Sequence, residues 1–140
     1  MEKIYDVKID MLSVINTDGS DGDVDRSENT YNGKLEVLDG RLRLTYSERT
    51  EGGEMATEIH VLDGRVVVKR RGAIVSDMVF SEGKRSTSVY SIPPHSFDMA
   101  VDCRRLKIKL GSDREGRVDM LYKMEIGGEA RSARMRIIWN

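Results

Sequence analysis

Apolar and polar residues alternate along most of this chain, which is the pattern of β-strands that bury one face. Turn-forming residues separate the alternating segments, and helical periodicity is nearly absent. We predict strands at 3–15, 24–38, 41–50, 54–62, 65–71, 73–81, 85–91, 96–103, 105–111, 116–126 and 129–139, and some neighbouring segments are expected to form one bent strand. The pattern therefore predicts an all-β, antiparallel protein.

Three two-residue turns, Asp39-Gly40, Asp63-Gly64 and Gly127-Gly128, fix the pairing of the strands around them. In the Asp-Gly turns both residues are expected to adopt positive φ angles. The predicted facing pairs are Val37–Leu42, Leu35–Leu44, Gly33–Tyr46 and Tyr31–Glu48; Val61–Val66, Ile59–Val68 and Thr57–Arg70; and Tyr122–Ala133, Met120–Met135, Val118–Ile137 and Gly116–Trp139. Within each hairpin, apolar residues face apolar residues, which supports these registers.

A chain of 140 residues is expected to form one domain, here residues 1–140. Neighbouring strands joined by short turns make a meander, and an open meander would leave two exposed edges. Closure into an up-and-down barrel of roughly eight to ten strands is the simplest solution. A β-sandwich is the alternative.

The predicted registers, together with a three-residue turn at 82–84, define the inward face of the barrel. Most inward residues are apolar core, including Met78 and Phe80, but some are polar. The candidate ligand-binding residues are Arg70, Glu48, Tyr46, Tyr90, Tyr122, Ser88, Met78 and Phe80. Because an unpaired buried charge is costly, Arg70 either anchors an anionic ligand or forms a structural ion pair with Glu48. Both interpretations remain open from sequence.

Catalytic and metal-binding signals are weak. Cys103 is the only cysteine, and the only histidines, His60 and His95, form no metal-ligand spacing with it. No supported nucleophile–base pair can be assembled, so we predict no enzyme activity, no metal site and no cofactor.

The acidic stretch at 18–25 resembles the start of a calcium-binding loop, because Asp21, Asp23 and Asp25 have the required spacing. However, Arg26 stands where that loop needs glycine, and Asn32 where it needs glutamate. We interpret the stretch as a solvated hairpin loop.

The charge balance argues against large anionic partners. With 23 basic and 24 acidic residues, the net charge of −1 gives no overall attraction to nucleic acid or anionic membranes. Basic stretches occur at 69–71, 104–105 and 131–136, but single-stranded nucleic acid would need exposed aromatic residues among them. Aromatic residues make up only 6% of the chain and mostly point inward. We therefore expect neither nucleic acid nor membrane as a partner.

The same composition suggests a location. A single cysteine favours a reducing compartment, and the first residues resemble a strand rather than a signal peptide. We expect a cytoplasmic protein, with homo-oligomerisation left open.

Several loose motifs occur in a consistent order along the chain. They are Asp39-Gly40 followed by Leu44-x-Tyr46-x-Glu48; Arg70-x-Gly72; Met78-x-Phe80-x-x-Gly83; Ser88-x-Tyr90-x-x-Pro93; and Gly116-x-Val118-x-Met120-x-Tyr122 with Gly127-Gly128. Together they resemble the YwiB-like family of bacterial proteins, a domain of unknown function. His95 departs from the pattern, since the family usually has glycine there. The resemblance implies a calycin-like barrel, related in architecture to lipocalins and fatty-acid-binding proteins, and no established activity.

From the sequence we therefore expect a barrel that binds a small apolar or amphipathic ligand, with any anionic group at Arg70. The alternative is a protein-interaction or oligomerisation module whose barrel is filled.

Overall fold

A computed structural model describes residues 2–17, 24–112 and 114–140. Ten strands form in this part of the chain: β1 (Lys3–Thr17), β2 (Val24–Leu38), β3 (Arg41–Thr50), β4 (Gly53–Leu62), β5 (Arg65–Gly72), β6 (Ser76–Phe80), β7 (Arg85–Ile92), β8 (His95–Leu110), β9 (Gly116–Ile126) and β10 (Glu129–Trp139). Within these ranges there is no helix long and apolar enough to cross a membrane. The predicted acidic loop at 18–23 lies outside the described residues.

The strands form one antiparallel sheet in the order β6-β5-β4-β3-β2-β1-β10-β9-β8-β7. Each strand pairs with its neighbours in sequence except that β6 and β7 do not pair with each other, and β1 pairs with β10 to join the two ends of the chain. The sheet edges β6 and β7 meet through a bridge between Val75 and Ser91, whose two backbone N–O distances are 2.9 Å. The result is a nearly closed up-and-down barrel, which confirms the predicted fold class over the alternative sandwich.

The predicted hairpin registers agree with the structure around all three two-residue turns. Two details were wrong. Among the residues that the structure describes, positive φ angles occur only at glycines, including Gly40 and Gly64, so Asp39 and Asp63 do not adopt them. The ladder between β2 and β3 ends at Lys34–Thr45, so the predicted pairs Gly33–Tyr46 and Tyr31–Glu48 are not part of it.

The remaining strand boundaries differ modestly from the predictions. The segments 96–103 and 105–111 form one strand, β8, whose register with β9 shifts between Cys103 and Arg105. The turn at 82–84 does not join a paired hairpin. Instead, the backbone N–H of Gly83 donates to the carbonyl of Cys103, and the N–H of Cys103 donates to the carbonyl of Lys84. The chain thus leaves β6 and pairs with β8 before β7 begins.

The barrel interior is filled by buried apolar side chains from every strand except β7, which contributes the partly buried Tyr90. The largest fully buried ones are Trp139, Phe80, Ile9, Leu35, Leu44, Ile59, Met120, Ile137, Val66, Val68, Val101 and Val118. Burial of each such side chain contributes about 1.5–3 kcal/mol. Trp139 lies against Gly116 on the neighbouring strand, and a Cβ at Gly116 would lie 2.3 Å from Cζ2 of the indole.

We predict that Gly116→Ala lowers the free energy of unfolding by roughly 1–3 kcal/mol, because the added methyl overlaps a buried indole ring. Gly111→Ala is the matched control at the other end of the connection between β8 and β9, since its Cβ would meet only the exposed side chain of Glu115. Urea denaturation followed by circular dichroism measures both variants. Equal stability of the two would contradict the tight packing of Trp139 on Gly116.

Candidate functional site

Arg70 faces the barrel interior because it follows the buried residues Val66 and Val68 at every second position of β5. Its side chain is partly buried and lies beyond these two valines, toward the end of the barrel that holds the β3–β4 and β5–β6 turns. The strand alternation alone therefore brings a permanent positive charge inside an apolar barrel.

Two buried hydroxyl groups flank Arg70 in the sheet. Thr57 on β4 and Ser76 on β6 are its cross-strand neighbours, and their relative exposures are 1% and 2%. Neither Thr57 Oγ1 nor Ser76 Oγ has a hydrogen-bond partner of normal geometry. A buried polar group without a partner costs about 1–3 kcal/mol of folding free energy. The hydroxyls of Thr57 and Ser76, on either side of Arg70, are therefore free to bind a ligand at little further cost.

Three tyrosines lie close enough to Arg70 for its positive charge to affect the pKa of their hydroxyl groups. Tyr31 and Tyr46 stack with ring centroids 4.2 Å apart and an interplanar angle of 11°. Tyr122 packs edge-on against Phe80, with centroids 4.9 Å apart. These rings supply an apolar surface that also carries hydroxyl groups.

Burial keeps these tyrosines neutral. It raises the pKa of Tyr122 to about 12 and also raises the pKa of Tyr46 above the usual value. For Tyr31, burial and then the neighbouring Glu48 carboxylate raise the pKa. The positive charge of Arg70 opposes the rise of the pKa in all three, and the nearby Thr57 hydroxyl also opposes it in Tyr46. The phenols therefore remain hydrogen-bond donors well into the alkaline range.

The structural alternative for Arg70 required an ion pair with Glu48. No nitrogen of Arg70 lies within 4.0 Å of a Glu48 carboxylate oxygen, and no other described carboxylate pairs with Arg70. The other arginines that lie in partly buried positions of the sheet do pair, as Arg43 does with Glu36 at 2.7 Å. Arg70 thus differs from them in having no acidic partner among the described residues.

The remaining predicted site residues have other surroundings. Met78 and Phe80 are core residues on β6, opposite Val68 and Val66. Ser88 Oγ donates a hydrogen bond to the carbonyl oxygen of Asp77 at 2.8 Å and so fastens β7 to β6.

Tyr90 is half-buried and lines a small cleft with Phe97, Ile126 and Arg131. The bridge between Val75 and Ser91 places Tyr90 opposite Ser76, across the junction of β6 and β7. Ser76 in turn pairs with Arg70.

A groove of about 1110 Å³ follows the line where β2 and β3 separate. Its lining includes outward-facing Lys34 and Glu58 but also Gly33, Tyr46 and Thr57 from the inward-facing positions. The groove therefore lies on the outer surface and borders two buried residues, Thr57, which pairs with Arg70, and Tyr46, which pairs with Thr57.

The sequence analysis missed Tyr31, Thr57 and Ser76 as site residues. Tyr31 had a usable signal, because the extrapolated register already placed it close to Glu48 and Tyr46. The hydroxyls of Thr57 and Ser76 carried no such signal, since small polar residues on an inward face usually find partners. Only the structure shows that the hydroxyls of Thr57 and Ser76 have no hydrogen-bond partner of normal geometry.

Cys103 and the histidines do not assemble a catalytic centre. Cys103 is buried, and burial raises the pKa of its thiol, which makes the nucleophilic thiolate scarcer. His95 is exposed at the start of β8. No group of three His, Cys, Asp or Glu side chains within the described ranges is arranged to hold a metal ion.

Comparisons with known proteins agree with this barrel. The chain matches, over residues 9–137, the family described as "Domain of unknown function (DUF1934)". It is 24% identical over 129 residues to the "Uncharacterized beta-barrel protein YwiB" of Bacillus subtilis (strain 168), an alignment covering 92% of this chain and 88% of that protein.

A solved structure shows the same fold. The crystal structure of ywiB protein from Bacillus subtilis superimposes with a TM-score of 0.84 at 23% identity, covering 99% of this chain and 92% of that chain. This identity supports the fold alone, whereas the family match spans most of the sequence. The resemblance inferred from the motifs is thus confirmed, and the chain belongs to the β-barrel family described as Domain of unknown function (DUF1934).

Proposed function

We propose that this protein binds a small amphipathic anion, with a carboxylate against Arg70 and an apolar portion among the tyrosine rings. The observation that carries the proposal is an inward-facing guanidinium with no acidic partner among the described residues, flanked by two buried hydroxyls that have no hydrogen-bond partner of normal geometry. The guanidinium fork matches a carboxylate in a bidentate geometry.

Energetic considerations favour a ligand over a purely structural role. Arg70 loses hydration on partial burial, and no described carboxylate compensates for that loss. A bound carboxylate would supply the opposite charge and accept hydrogen bonds from Thr57 and Ser76. The interaction would therefore relieve costs that the free protein carries at three adjacent positions.

The surroundings fit an amphipathic ligand better than an inorganic ion. The stacked pair Tyr31–Tyr46 and the Phe80–Tyr122 contact offer ring surface next to the charge. Small-molecule sites commonly combine such apolar lining with a few polar groups. The groove between β2 and β3 borders Tyr46 and Thr57 from the outside, and we propose that the ligand enters where these two strands are no longer hydrogen-bonded. We also propose, from the single cysteine, that this binding takes place in the cytoplasm.

Octanoate is a suitable first probe, and isothermal titration calorimetry measures its affinity. We expect Arg70→Leu to weaken octanoate binding at least tenfold, or about 1.4 kcal/mol, because it removes the cation that holds the carboxylate. Octanol, which lacks the charge, should bind the wild type and the variant equally. Native mass spectrometry of freshly purified protein would reveal a co-purified ligand.

Arg65→Leu is the matched control, because Arg65 is an exposed arginine on the same strand. It should leave octanoate binding unchanged. The unfolding free energy of Arg70→Leu should equal or exceed that of the wild type, since leucine needs no charged partner there. A strongly destabilised Arg70→Leu with no wild-type affinity for carboxylates would contradict the proposal and favour a structural Arg70.

Ligand affinity should also depend on pH in a characteristic way. Because burial raises the pKa of Tyr46, and that of Tyr122 to about 12, both stay neutral where an ordinary phenol of pKa about 10 ionises. We expect octanoate affinity to stay constant from about pH 7 to pH 10 and to fall only above that range. A loss of affinity centred near pH 10 would show that the bound anion faces ordinary tyrosines instead.

One observation favours the alternative function, a protein-interaction or oligomerisation module. Val89, Ile92 and Phe97 lie on the β7–β8 hairpin and are 52%, 48% and 43% exposed. If this hairpin mediates self-association, light scattering coupled to size exclusion should show an oligomer that Phe97→Ser converts to a monomer. A monomeric wild type would exclude self-association through the hairpin.

A further inference from the structure

One end of the outer surface of β8, β9 and β10 is basic, although the chain as a whole has a net charge of −1. We call this surface the basic face and define it by Arg105, Lys107 and Lys109 on β8, Arg117 on β9, and Arg134 and Arg136 on β10. All of these residues are exposed except Arg136, which is half-buried. The overall balance of charges therefore conceals a local concentration of positive charge.

Cross-strand pairing organises the basic face into three rows. Leu121 lies between Arg105 and Arg134, and Asp119 lies between Lys107 and Arg136. The third row places Lys109 directly opposite Arg117. Along β8, the outward positions repeat every two residues, a spacing of about 6.6 Å.

Acidic residues neutralise only part of this surface. Asp119 accepts from Arg117 at 2.6 Å and from Arg134 at 3.4 Å, and Arg136 lies 3.5 Å from Glu28. Among the described residues, no carboxylate lies within 4.0 Å of the charged nitrogens of Arg105, Lys107 or Lys109.

At the edge of β8, Glu82 accepts a hydrogen bond from the backbone N–H of Leu106 at 3.0 Å and borders the basic face. With Glu82, Asp119 and Glu28 all included, six basic residues still face three acidic ones.

We propose that the basic face binds the phosphodiester backbone of nucleic acid without sequence preference. Phosphate groups along a nucleic acid strand form a regular linear array of negative charge, which the regular rows of arginine and lysine complement. Four of the six basic residues are arginines, whose planar fork suits phosphate oxygens. The face presents no aromatic residue for base stacking and no element that enters a groove, so it reads backbone charge alone.

This proposal departs from the expectation drawn from the sequence. That expectation rested on the low net charge and on the absence of exposed aromatic residues. Aromatic residues are needed to stack unpaired bases, but backbone contacts do not require them. An anionic membrane is less well matched, because Leu121, 41% exposed, is the only large apolar side chain exposed within the three rows.

Fluorescence anisotropy with a labelled duplex of about 20 base pairs tests the proposal across roughly 50 to 200 mM salt. The triple variant Arg105→Gln, Lys107→Gln, Lys109→Gln removes the three basic residues that have no acidic partner and should therefore fold normally. At the lowest salt we expect its dissociation constant to rise at least tenfold. Its log–log salt slope should decrease in magnitude by about 2.7, since each lost phosphate contact contributes about 0.9.

The matched control is Arg41→Gln, Arg49→Gln, Arg65→Gln, which removes three exposed arginines from β3 and β5 on the opposite side of the barrel. It makes the same change in net charge and should largely retain both the affinity and the salt slope of the wild type. If both triple variants lost the same affinity for the duplex, the loss would be explained by net charge alone, which would overturn the proposal. So would the absence of wild-type binding at low salt, or binding to anionic phospholipid vesicles but not to the duplex.

Discussion

Closure of the sheet is the constraint on which the rest of the structure depends. Nine of the strand junctions are hydrogen-bonded ladders, and the tenth, between β6 and β7, relies on the Val75–Ser91 bridge and the hydrogen bond from Ser88 to Asp77. Once the sheet closes, alternate residues of every strand must point into a shared interior. A charged residue at such a position cannot turn outward without slipping its strand by one residue, which would expose every apolar neighbour. Arg70 is held inside in this way.

The interior is not uniform, because the ladder between β2 and β3 stops partway along the barrel. At Gly33 the two strands approach so closely that a Cβ would lie 2.4 Å from the carbonyl oxygen of Thr45. Beyond this point the Tyr31–Tyr46 stack takes over as the contact between the strands. Such aromatic pairs add about 0.5–1.5 kcal/mol beyond their buried area, comparable to one or two backbone hydrogen bonds. The separation of the strands thus creates both the groove and the aromatic wall of the candidate site.

The sequence was sufficient to predict what local geometry determines. A two-residue turn transmits its register to both strands, so the pairs around Asp63-Gly64, including Thr57–Arg70, follow from the position of the turn alone. The end of the β2–β3 ladder could not be calculated in this way, because it depends on how both strands curve around the whole barrel. The irregularity between Cys103 and Arg105 could not be calculated from a turn either. It changes which β8 residues point outward.

The candidate site shows the same limit. Alternation identified Arg70, Tyr46 and Tyr122 as inward-facing residues, but it could not decide whether Glu48 reaches Arg70. That outcome depends on how two long side chains are placed across the intervening strand β4, and the register fixes the backbone positions but not the side-chain conformations. Whether a side chain points inward follows from its position in one strand. Which residue it pairs with depends on how all the strands pack in the assembled interior.

The two proposed anion sites share one physical feature, which is an electrostatic cost that the isolated chain compensates only in part, since Asp119 pairs with Arg117 but no described carboxylate pairs with Arg70 or Lys109. Inside the barrel, Arg70 loses hydration, and no carboxylate among the described residues pairs with it. On the outside, Lys109 lies directly opposite Arg117, and like charges at facing positions of a sheet destabilise it. Either cost could be removed by a single substitution that preserves the strand pattern, such as leucine at the first position or glutamate at the second. The stability of the isolated chain therefore does not explain why a cation stands at either position, and the two proposals offer a bound anion as the explanation.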